Sequence, residues 1–185
     1  MKYKDFYIHL FENISPVSDE HFLSLEQKYK AGDENSSLEA QRILKNAAAT
    51  RGYNIGPVFH GTNTNDFTKF DINKLKITAC GKGFYFSNSE DFAKRYGSKI
   101  IKVFLKMEDP VINDETGCLL GGRNIDDGDS RWIKGGFPGL RSGQQIMLVR
   151  NPSQIKSCDP FTYADSGKLI PLSKRFDPSN DDIRY

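Results

Sequence analysis

Residues 81–87 are Gly81-Lys82-Gly83-Phe84-Tyr85-Phe86-Ser87. This stretch completes neither G-x-x-x-x-G-K-[ST] nor G-x-G-x-x-G, so a phosphate cradle of those kinds is excluded. The glycines instead preface a strand of aromatic residues. Successive side chains of a strand point to opposite faces, so Phe84 and Phe86 share one face and Tyr85 and Ser87 the other. One face is core. The other forms a site or, in the plainer alternative, leaves Tyr85 in solvent.

From residue 56 onward, similar short apolar runs are bounded by Gly, Asn, Asp and Pro. They predict strands over 58–60, 83–87, 99–106 and 146–150, with a helix over 89–96. Ahead of them the texture is helical. Ser18 starts a first helix that Gly32 closes; Ser36 and Glu39 have capping-box spacing for a second, which Gly52 closes. The expected fold class is therefore α+β, with an N-terminal helical hairpin before the strands. Residues 113–143 hold eight of the sixteen glycines and read as loop, with one short strand or turn around Trp132. The polar tail, residues 176–185, is expected on the surface or partly mobile.

The chain has 185 residues, 37% hydrophobic and 12% aromatic, enough for one domain with its own core and too apolar for wholesale disorder. Lys+Arg 26 against Asp+Glu 24 leaves a net charge of +2, which excludes a dedicated nucleic-acid-coating or membrane-surface protein. Cys80, Cys118 and Cys158 are odd in number and lack CxxC spacing, so neither a zinc site nor a disulfide framework is indicated, and a reducing compartment is expected. The N-terminus is charged throughout and no stretch reaches 18 apolar residues, so a soluble protein without a standard export signal is expected. His9, His21 and His60 are far apart with no HExxH, and no G-x-S-x-G occurs; metal and Ser-His-Asp hydrolase chemistry are set aside.

Candidate chemistry lies in four places. His60 follows Val58 and Phe59 at a strand end and precedes Gly61, where backbone can approach a ligand closely; a histidine merely hydrogen-bonded at a strand end is the alternative. Tyr85 and Ser87 share a strand face. Tyr96 follows eleven residues after Tyr85, beyond a helix, and returns to the same cleft or simply packs. Gln144 and Gln145 precede the late strand and are site residues or ordinary loop.

Taken in order, His60-Gly61-Thr62, the GKGFYFS segment, the helix ending in Tyr96 and the late strand resemble the ADP-ribosyltransferase superfamily. The resemblance is to its poly(ADP-ribose) polymerase, or diphtheria-toxin-like, branch. The chain is also similar to the ADP-ribosyltransferase modules of phage and mobile-element polyvalent proteins, through Ala47-Ala48-Ala49-Thr50-Arg51-Gly52-Tyr53 before the His-Gly-Thr, Asn151-Pro152-Ser153-Gln154, and the final Asp182-Ile183-Arg184-Tyr185. The resemblance covers roughly residues 40–185.

It implies a split β-sandwich of two small, mainly antiparallel sheets with NAD+ in the cleft as substrate and no metal. The division implied is a helical extension (1–55), a catalytic domain (56–175) and a tail (176–185). His60 would bond the adenosine ribose, the Gly61 backbone would take the nicotinamide amide, and Tyr85 and Tyr96 would sandwich the ring. Thr62, Gly83 and Ser87 would complete the cofactor-binding set. The catalytic residues would be His60, Tyr85 and the residue in place of the family's glutamate. Here the chain departs from the pattern, because no acidic residue lies between Asp129 and Asp159. Gln145 is the best match and Gln144 the second choice. A neutral amide in place of a charge weakens the contact by about 1–2 kcal/mol, roughly tenfold in rate.

The resemblance thus implies mono-ADP-ribosylation of a macromolecular acceptor, protein rather than nucleic acid, by a monomeric cytoplasmic toxin or effector. A parent polyvalent protein or a neutralising partner is part of that expectation, and a membrane is not. The alternatives are an NAD+ glycohydrolase and a catalytically silent NAD+ or ADP-ribose binding module. Arg123, Arg131, Trp132, Lys134, Phe137 and Arg141 mix cations and aromatics in a loop that would face acceptors, or that is simply solvated.

Overall fold

The computed structural model describes residues 17–65, 67–75, 77–78, 80–113, 129–135, 137 and 139–185. Two helices come first, α1 (Asp19–Lys30) and α2 (Glu34–Thr50). The Ser18 hydroxyl caps α1 by accepting from the His21 N–H. Asp33 caps α2, accepting from the Asn35 N–H, and Ser36 sits inside the helix with its hydroxyl donated back to Asp33. The capping-box reading of Ser36 is therefore corrected by three residues: the turn through Gly32, at φ 99°, delivers the chain to Asp33 first. Gly52 closes α2 at φ 86°, a conformation that glycine adopts without strain.

The strands are β1 (Ile55–Thr62), β2 (Ile77–Thr78), β3 (Gly81–Lys82), β4 (Phe84–Ser87), β5 (Lys99–Leu105), β6 (Pro110–Asn113), β7 (Ser130–Ile133), β8 (Ile146–Val149) and β9 (Ile155–Ser157), with α3 (Glu90–Ala93) between β4 and β5. Seven of them form one mixed sheet, ordered β6-β7-β8-β4-β1-β5-β9, while β2 and β3 make a separate two-stranded ribbon. All pairings within the large sheet are antiparallel except β6 with β7. The fold is α+β as expected. Of the two small sheets expected, only the β2-β3 ribbon is small; the other is a seven-stranded sheet, because β8 carries the β6-β7 pair directly onto β4.

Alternation along the strands divides the core. Phe84 and Phe86 of β4, Val103 and Leu105 of β5, and Met147 and Val149 of β8 bury against Phe70 and Ile183 on one face. On the opposite face Phe104 meets α1 and α2 through Phe22, Leu25, Ile43, Leu44 and Ala48. Further along that face Ile133 and Ile146 pack with Phe92 of α3, and Tyr85 and Phe137 lie against them. Each Phe or Leu side chain buried in this way contributes on the order of 2 kcal/mol.

The tail is neither peripheral nor loose. Phe176 and Ile183 are buried, the Ile183 N–H donates to the Thr68 carbonyl, and the Ile183 carbonyl accepts from the Ser157 N–H. The fully buried Lys156 ammonium donates to the carbonyls of Asn180 and Asp182. A polar composition concealed this, because the chain turns its backbone rather than its side chains toward the buried cation. Cys80 is disulfide-bonded, where cysteine number and spacing had indicated no disulfide framework. Cys158 is free and buried, its thiol pushed up by desolvation.

Candidate active site

The cleft opens where β1 and β4 part. These strands share a single register pair, Phe59 with Ser87. Beyond it the His60 ring supplies the missing bond, with Nδ1 2.9 Å from the Tyr85 carbonyl. A carbonyl only accepts, so Nδ1 carries the hydrogen and the neutral ring keeps Nε2 as an acceptor. Phe70 at 5.1 Å and Phe86 at 5.5 Å surround the ring. Burial pushes the imidazole pKa below its ordinary value, and the bond to the Tyr85 carbonyl only partly opposes this.

A group of this kind favours folding above the ordinary value of 6.5 and loses that contribution as pH falls through its lowered value. Ligand affinity that depends on neutral His60 should therefore stay level from pH 8 down through 6.5 and fall only below it. Calorimetric titration with NAD+ across this range checks the point; an inflection at or above 6.5 would contradict it.

His60, Gly61, Tyr85, Ser87 and Tyr96 line one cavity of about 290 Å³, together with Phe59, Phe86, Phe92, Ala93, Phe137 and Ile146. Five of the expected residues thus converge. Tyr85 is half-buried, its hydroxyl donating to the Gly81 carbonyl at 2.8 Å and its ring facing Phe137 at 6.4 Å. Tyr96 is 58% exposed and contacts Phe92 at 5.6 Å.

Neither Phe92 nor Phe137 is expected from sequence in the wall of the cleft: Phe92 enters only with the helix that ends in Tyr96, and Phe137 only in the loop that would face acceptors. Phe92 is legible only once the helix is known to cover β1, and Phe137 stands alone in a glycine-rich stretch. The Phe137 loop is tied down: Arg95 donates to the Gly139 carbonyl, Asn88 to the Gly143 carbonyl, and the Gln144 amide to the Ser89 hydroxyl.

Three expected residues lie off this lining. The Thr62 hydroxyl accepts from the Thr64 N–H and borders a different hollow. Gly83 makes room for β8, since a Cβ there would stand 2.5 Å from the Leu148 side chain. Gln145 sits at the edge, its carbonyl accepting from the Ser87 hydroxyl while the next residue, Ile146, lines the cavity. Gln144 has both ends of its amide engaged, by the Arg141 N–H and the Ser89 hydroxyl. That favours Gln145 over Gln144 on the cleft.

Of the cation-aromatic loop, Arg123 lies outside the described residues, Trp132 is in β7, and the Lys134 ammonium lies 5.5 Å over its ring. His60 also borders a second cavity, about 430 Å³, with Thr64, Phe67, Lys69, Asp71 and Lys74. Among the described residues no group of His, Cys, Asp or Glu is disposed to hold a metal ion. No helix among them is long and apolar enough to cross a membrane.

Residues 51–141 match the family model described as ADP-ribosyltransferase in polyvalent proteins. This segment is an ADP-ribosyltransferase domain of the polyvalent-protein type. The ADP-ribosyltransferase match takes in β1, β4, α3 and β5, and with them every cavity residue from Phe59 to Phe137, but ends before Gln145 and β8. No curated protein matches the chain significantly. The ADP-ribosyltransferase family uses NAD+ as its substrate, and its chemistry is ADP-ribosylation.

Proposed function

We propose that the protein cleaves NAD+ and transfers a single ADP-ribose to a nucleophile on a macromolecular acceptor, a protein rather than a nucleic acid. The observation that carries this reading is the convergence of His60, Gly61, Tyr85 and Tyr96 on one aromatic cavity inside the ADP-ribosyltransferase segment. The nicotinamide ring takes the aromatic cavity. The adenosine and diphosphate take the second cavity, where Lys69 and Lys74 offer positive charge, and His60 between them accepts from a ribose hydroxyl through Nε2.

In the reaction the bond from ribose C1′ to the pyridinium nitrogen breaks and its electron pair leaves with nicotinamide. The acceptor then adds to C1′ and loses its proton. Holding the departing ring rigidly lowers the barrier only so far as the transition state is held better than the bound substrate. A monomeric effector in a bacterial cytoplasm, in or beside a larger polyvalent protein, is the setting we propose.

A second reading, NAD+ hydrolysis or silent binding, is favoured by one observation: the residue in the glutamate's place, Gln145, is uncharged and outside the cavity lining. Incubation with NAD+ labelled in its adenylate, with and without bacterial lysate, separates these readings. Nicotinamide release with label on protein is expected, together with loss of NAD+ affinity in His60→Ala. Release without attachment would establish the hydrolase. A raised melting temperature with no release would establish the binding module.

A further inference from the structure

Trp132 stands in register with Met147, which is in register with Phe86, the neighbour of the His60 ring. From this row its indole Nε1–H donates to the Gln145 side-chain oxygen at 2.8 Å. An indole nitrogen is only a donor, so the oxygen of the amide must be the atom that faces it, however the amide is assigned. The backbone of Gln145 is held as well. Its N–H donates to the Asn88 side chain at 2.8 Å, and its carbonyl accepts from the Asn88 N–H and the Ser87 hydroxyl. What remains is Nε2, which makes no hydrogen bond among the described residues.

We infer that Trp132 is a positioning residue that fixes residue 145 as a hydrogen-bond donor toward the cleft, and that it would hold a carboxylate there equally well. The inference rests on the reading of the cleft as an NAD+ site. A donor directed at a ribose hydroxyl draws electron density from the sugar and opposes the positive charge that develops as nicotinamide leaves. A glutamate at the same position would accept the indole N–H with one oxygen and offer the other to the hydroxyl as a charged acceptor, which favours the cation. The wild-type pair therefore restrains turnover, and one substitution should release it.

Nicotinamide release is compared in the wild type, Gln145→Glu, Trp132→Phe and the double variant. Gln145→Glu should raise kcat about tenfold or more with KM within about threefold, and Trp132→Phe should remove most of that gain, again in kcat. Trp132 is the only tryptophan, so its single indole N–H resonance reports the bond directly. It should be protected from exchange in the wild type, shift in Gln145→Glu and exchange rapidly in Gln145→Ala. A gain that survives Trp132→Phe, or equally rapid exchange in wild type and Gln145→Ala, overturns the positioning role. NAD+ binding without any gain in Gln145→Glu overturns the inference alone, whereas absence of NAD+ binding in a wild type that shows the protected indole overturns the enzymatic reading beneath it.

Discussion

Gly61→Ala is expected to destabilise the protein by about 3 kcal/mol or more, near the upper end of what overpacking costs. A Cβ on residue 61 would lie 2.0 Å from the Ala93 carbonyl oxygen and 3.1 Å from the Gly97 nitrogen. Both are backbone atoms, so no rotamer change relieves the contact. β1 cannot retreat, because it is hydrogen-bonded to β4 on one side and β5 on the other. The helix must move instead, and it carries Phe92, Ala93 and Tyr96 away from the cavity.

From sequence, the absent side chain of Gly61 is expected to admit close approach by a ligand amide. The structure gives it first to α3, and in the same crowded crossing a Cβ on Gly97 would stand 2.3 Å from the Thr62 carbonyl carbon. Urea unfolding of Gly61→Ala checks the cost, and the thermal shift caused by NAD+ should be lost with it. A wild-type unfolding midpoint would mean that α3 does not seat on β1 as described.

Tyr85→Ala should weaken NAD+ binding about 10- to 30-fold. The ring forms one wall of the cavity against Phe137, and a stacked aromatic partner adds about 0.5–1.5 kcal/mol to the area it covers. Tyr85→Phe keeps that wall and loses only the bond to the Gly81 carbonyl, so its affinity should stay within about threefold of wild type. Calorimetric titration of the three proteins distinguishes the cases. A Phe variant as weak as the Ala variant would move the effect from the ring to the hydroxyl, and from stacking to the anchoring of β3.

Much of this arrangement is legible in the sequence because it depends on local period alone. The alternation of Phe84, Tyr85 and Phe86 assigns each ring to a face, and the distribution of the two phenylalanines and the tyrosine between opposite cores agrees. Gly32 and Gly52 likewise announce helix ends through their own backbone preference. Features that depend on distant partners are not legible in this way. Pro110–Asn113 becomes a strand only because β7 lies parallel to it, and Ile155–Ser157 only because β5 has a free edge.

At the site, motif order names His60, Gly61 and Tyr85, and strand parity and spacing name Ser87 and Tyr96, and these five line one cavity. Phe137 reaches the cavity through a loop pinned by Arg95 and Gln144, long-range bonds that no window of sequence contains. The hydrogen bond from Trp132 to Gln145 was equally out of reach. Thirteen positions separate the two residues, and it takes the β7-β8 pairing to bring them together.

The buried C-terminal segment has a consequence for ligand energetics. Ile183 bonds to Thr68, and Lys69 bridges to Asp182, so the last residues brace the stretch that walls the second cavity. A molecule bound in that cavity prefers the braced form, and its concentration then acts on the local opening equilibrium of the tail as well as on occupancy. At 100 times the dissociation constant the brace gains up to about 2.7 kcal/mol, if opening abolishes binding. The chain end thus becomes a remote gauge of ligand, readable in the amide hydrogen exchange of residues 180–185 while the cleft itself is left untouched.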